Sequence, residues 1–105
     1  TVNNDALVRR LAAVWRSKMG ADNVANTESQ GMGAEDFAYF TQTEHKVPGV
    51  FFSVGGTPPD LMRQIIAGSI NAPPHHSAFF RIDPNSVKAG VEAMYTAAVE
   101  LLNNP

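Results

Sequence analysis

One apolar run limits what this chain can fold into. Val50, Phe51, Phe52 and Val54 are interrupted only by Ser53, with Pro48-Gly49 before them and Gly55-Gly56 after. A run apolar on both faces suits a sheet covered on both sides, so it predicts a strand of an α/β protein. A lone strand leaves its own N–H and C=O groups unpaired. The rest of the sequence offers only a weak candidate near Val24 and a short extended segment at Ala78 to Ile82. The run at 50–54 therefore implies a larger body around these residues, or pairing between chains.

The helices are easier to place. Residues 4–19 carry Leu7, Val8, Leu11, Val14, Trp15 and Met19 at helical spacing, with Asn4 or Asp5 as cap and Gly20 as stop. Glu35 and Asp36 stand at the expected start of a short helix, where negative charge meets the positive end of the dipole. Residues 59–68 predict another short helix, with Leu61, Met62, Ile65 and Ile66 on one side. Asp83-Pro84 combines a cap with a first-turn proline. The helix it opens is expected to bury Val87, Val91, Met94, Ala98, Leu101 and Leu102. Residues 1–105 are read as a single domain, long enough for a modest core.

Composition narrows the partners. A formal net charge of −2 without a Lys/Arg cluster gives no electrostatic basis for nucleic acid or an anionic membrane. No apolar stretch approaches the ~20 residues of a membrane-spanning helix. Cysteine is absent, so there is no disulfide framework, no thiolate nucleophile and no thiolate zinc site. This suits a reducing compartment, and a cytoplasmic location is expected. Thr1 stands where an initiator Met would, which leads to the expectation of a processed or excised piece.

The segment "NAPPHHSAFF", residues 71–80, is the main chemical feature. Pro73 and Pro74 stiffen the approach to His75 and His76. In extended backbone adjacent side chains point opposite ways, so one imidazole of the pair is expected to face a site. One histidine is not a metal centre, which takes three or four ligands. His45, Glu35 and Asp36 are the other candidates, but no helical ligand pair occurs. Glu35 and Asp36 read equally well as helix-start acids. Gly31 and Gly33 read as turn residues, or as backbone that approaches an anionic ligand closely. The plain alternative is a non-catalytic binding or oligomerisation module with a solvated His pair. A nonenzymatic metal-binding protein is the weaker third reading.

Taken together, "GMGAEDFAYF", "VPGVFFSVGGTPP" and "PPHHSAFFRIDPNSVKAGVEAM" are recognisable in their order and spacing. They resemble the C-terminal end of the metal-dependent amidohydrolases that include hippurate hydrolases and N-acyl-amino-acid deacylases, relatives of aminoacylase and carboxypeptidase G. The resemblance implies the C-terminal part of a three-layer α/β/α catalytic domain. It places one ligand of a paired divalent centre, zinc or manganese, on His76, with His75 at the neighbouring, more variable position. Glu35, Asp36, Gly31 and Gly33 would line the site or support a metal-bound imidazole. Ala78 departs from the family's usual proline. The resemblance implies that no catalytic residue falls within these 105 residues. The general base and most ligands would lie upstream, together with an inserted domain that mediates homodimerisation. Implied substrates are N-acyl amino acids or small peptides, and the chain alone is expected to be inactive.

Overall fold

Asn4 opens the first helix. Its backbone is extended, and its side-chain oxygen accepts the Leu7 N–H at 3.0 Å. That satisfies one of the amides left unpaired at any helix start. The helix, α1, runs Asp5–Met19 and ends at Gly20, whose φ of +92° is a conformation side chains resist. A single 3₁₀ turn follows at Ala21–Asn23. The remaining helices are α2 (Ala38–Thr41), α3 (Pro59–Ile66) and α4 (Asn85–Asn103). The computed structural model of the protein describes residues 1–25 and 35–105. Gly31 and Gly33, both expected to line a site, lie outside the described residues. Among the described residues, no helix is long and apolar enough to cross a membrane.

The α/β expectation is corrected. Among the described residues every regular element is helical; no strand and no sheet occur, so the three-layer arrangement is not present. The apolar run at 50–54 has no β ladder, and Phe51 and Val54 are 43% and 41% exposed. The physical cause is the one that makes any solitary strand unfavourable: the described residues provide no second strand to pair with it. A side chain serves as substitute. Asn3 Nδ2 donates to the Phe51 carbonyl at 2.8 Å, and the Phe51 N–H donates to Asn3 Oδ1 at 2.7 Å. The Asn4 N–H donates to the Gly49 carbonyl at 3.0 Å. The backbone at 49–51 is thus met by one side-chain amide and one peptide N–H, where a ladder would offer a row. The weak strand near Val24 is likewise absent: a 3₁₀ turn stands before it.

The chain divides into two compact units. The first comprises Thr1–Phe52 and Ala93–Pro105. Its core is built from Leu11 and Trp15 of α1 with Ala93 and Ala97 of α4, and Leu7, Met19, Val24, Val50 and Phe52 pack against it. Ala93 and Ala97 are one helical turn apart, so together they offer a flat, small-residue patch. An indole can lie against such a patch, because contact distance follows side-chain size. The Trp15 Nε1–H donates to the Ala93 carbonyl at 2.9 Å, so the buried ring leaves no polar atom unpaired. The Phe52 ring closes the other side, 4.8 Å from Trp15 between centroids. At the far end, Arg10 Nε donates to Glu100 Oε1 at 2.8 Å, and its Nη2 donates to the carbonyls of Glu100 and Asn104.

This packing overturns the expected stripe on α4. Ser86, Ala93 and Ala97 are the buried positions, while Val87, Val91, Met94 and Leu102 are 59%, 64%, 61% and 81% exposed. The larger apolar residues are spaced for one helical face, but Trp15 selects the face that carries only alanines.

The second unit comprises Ser53–Glu92. Pro59 occupies the first turn of α3, where its missing N–H costs nothing. Gly68, at φ +72°, ends the helix as the Ser69 N–H reaches back to the Gln64 carbonyl at 3.0 Å. Asp83 starts α4 as expected, its Oδ1 accepting the Asn85 N–H at 2.9 Å. Its own N–H donates to the Gly56 carbonyl at 2.8 Å, which ties the Gly-Gly segment to the start of α4.

Candidate functional site

The two prolines lead into a turn, not an extended segment. The Ser77 N–H donates to the Pro74 carbonyl at 3.0 Å, which makes His75 and His76 the central residues of a hydrogen-bonded β-turn. A second turn follows at once. The Phe80 N–H donates to the Ser77 carbonyl at 3.1 Å, and the Phe79 N–H to Ser77 Oγ at 3.1 Å. Ser77 is therefore the hinge of both turns. The alternation expected of an extended backbone does not apply here. The imidazoles still differ in surroundings. The His75 ring meets Phe80 edge-on, 5.3 Å between centroids, and lines a small cavity with residues of α3. His76 is exposed at the other corner.

Glu35 and Asp36 behave as helix-start residues. Glu35 Oε1 accepts the Phe37 N–H at 3.3 Å, and the Asp36 carbonyl accepts the Tyr39 N–H at 3.0 Å. Both acids are exposed and belong to the first unit, whereas the His pair belongs to the second. His45 sits 3.4 Å from Glu44 in an exposed pair.

Among the described residues, no three His, Asp or Glu side chains are grouped so as to hold a metal ion. These residues by themselves do not build a metal centre, and a single imidazole from the turn is the most they offer to one. Reading the sequence alone missed the surroundings of His75: Leu61 and Ile65, Phe80, and the Arg81 guanidinium. The i, i+4 spacing of Leu61 and Ile65 was the available signal, since it puts both on one face of α3.

Over almost its whole length, the three quoted segments included, the chain is similar in sequence to a curated hydrolase. That relative is IAA-amino acid hydrolase ILR1-like 6 of Arabidopsis thaliana, 32% identical over 104 residues, or 99% of this chain. The chain spans 20% of the relative's length, in its C-terminal part. No family model and no solved structure matches the chain.

Proposed function

We propose that these residues form the C-terminal part of the catalytic domain of an amidohydrolase that cleaves the amide of N-acyl amino acids or small peptides. The observation that carries this reading is the 32% identity to a hydrolase across 99% of the chain, with the His-Ser turn inside the matched region. In this reading His76 would supply one ring nitrogen to a pair of divalent ions, zinc or manganese, whose chemistry when bound would be to activate water and polarise a carbonyl. Pro73, Pro74 and the Pro74–Ser77 hydrogen bond hold the imidazole in a fixed turn. Gly31, Gly33, Glu35 and Asp36 contribute to the substrate side or support a ligand. The intact enzyme is a homodimer.

The chain alone contributes one ligand and no general base, so it is inactive by itself. The isolated chain is expected to give no turnover of N-acetyl-, N-benzoyl- or indole-3-acetyl-amino acids with added zinc or manganese, read by release of free amino acid. Turnover that depends on added metal and is lost in His76→Ala would contradict the claim that the chain is inactive alone.

The exposure of both imidazoles and of the large apolar residues on α4 favours one rival: an oligomerising module whose His pair is merely solvated. Sedimentation separates the two. A stable homodimer of the chain with no affinity for zinc supports the module and opposes the hydrolase reading.

A further inference from the structure

The region Ser53–Glu92 contains a cavity of about 80 Å³ whose lining joins α3 to the loop before α4. Leu61, buried at 7% exposure, with Ile65 and Pro73 makes its apolar floor, and the exposed Ala72 and Phe80 stand at its edge. Its rim is cationic or neutral. Thr57, His75 and Arg81 line it, and among the described residues no acidic side chain does. We propose that this cavity binds a small branched aliphatic carboxylate, with the alkyl end against Leu61, Ile65 and Phe80 and the carboxylate on Arg81.

Size, charge and availability support the assignment. The volume is roughly half of the ~150 Å³ that lets a dry apolar cavity take up benzene, which suits an isopropyl group better than an aromatic ring. Arg81 carries a permanent charge and a fork of donors shaped for a carboxylate. Its present partner is Asp60 Oδ2 at 3.6 Å, and the two side chains are 60% and 58% exposed. An exposed pair at that distance is weak, so an incoming carboxylate can replace it at little cost. The His75 ring, set edge-on to Phe80 at 5.3 Å between centroids, forms one wall. The cavity lies within one unit and does not depend on the amidohydrolase reading.

The test is an NMR titration of the full 105-residue chain with sodium 3-methylbutanoate against sodium chloride of equal ionic strength. Saturable shifts are expected at Leu61, Ile65, His75 and Phe80, with a dissociation constant on the order of millimolar, as few-atom ligands bind. Arg81→Gln should weaken binding by about two- to fivefold, the worth of an exposed ion pair, as should replacement of the probe by 3-methyl-1-butanol. Ala72→Leu should abolish binding by filling the cavity. The amide signals of Ser69 and Asp83, each hydrogen-bonded within the same unit, report whether each variant remains folded there. No saturable shift at those four residues overturns the site. Equal binding of the alcohol, or unchanged binding in Arg81→Gln, overturns its selectivity for a carboxylate.

Discussion

Trp15→Ala is expected to remove most of the stability of the unit formed by Thr1–Phe52 and Ala93–Pro105. The indole is 8% exposed, lies among Leu11, Ala93 and Ala97, and contacts the Phe52 ring at 4.8 Å. Its buried neighbours can fill little of the space it would leave: Ala93 and Ala97 have nothing to extend and Leu11 is already buried, so any collapse falls to the partly buried Leu7, Met19 and Phe52. Truncating a buried tryptophan typically costs about 3–5 kcal/mol, when whole domains are stable by only about 5–15 kcal/mol. Trp15→Phe should cost less, about 1–3 kcal/mol, because an aromatic surface remains while the Nε1–H to Ala93 bond and part of the ring's buried volume are lost. Urea unfolding followed by far-ultraviolet circular dichroism measures both. A loss below about 1 kcal/mol for Trp15→Ala would mean that the indole is not the centre of this core.

The second large effect concerns the histidine turn. If the complete protein is the hydrolase proposed above, His76→Ala is expected to lower its kcat/KM with N-acyl amino acids by more than ~100-fold. Changing a residue that only supports a metal ligand already costs about 10–100-fold, and a direct ligand is worth more. Metal content should fall in parallel. His75→Ala removes an edge contact with Phe80, so a change within about tenfold is expected. The two variants differ by one position in one turn, so damage to the fold would affect both. If His75→Ala is the crippling change, the ligand is His75 and the assignment to His76 fails. If neither matters, the turn carries no ligand and its assignment to the metal site fails.

What could be read in advance was local. The Asn4 cap, the Gly20 stop, the proline start of α3 and the Asp83 cap depend on residues within a turn of one another, and each occurs where the spacing predicts it. What depended on distant partners was misjudged. Val50 to Val54 have strand composition, but a strand exists only with a neighbour, and the described residues provide an Asn3 side chain in its place. The apolar stripe of α4 is real as a pattern. Which face is buried was decided by an indole some 78 positions away in sequence, which needs alanines beneath it. The histidine pair was located correctly as a feature, but its backbone was taken as extended. A serine that receives two N–H donors and gives its own N–H to Pro74 favours consecutive turns. That shift places His75, not His76, beside the apolar cavity.

The most direct measurement is an anomalous-diffraction map of the complete hydrolase grown with zinc or manganese. The proposal predicts a metal peak about 2.0–2.1 Å from a ring nitrogen of His76 for zinc, within a cluster of ligands drawn from the rest of the protein. A metal peak with no ligand from residues 75–76, or both imidazoles in bulk solvent in a catalytically active crystal, would contradict it.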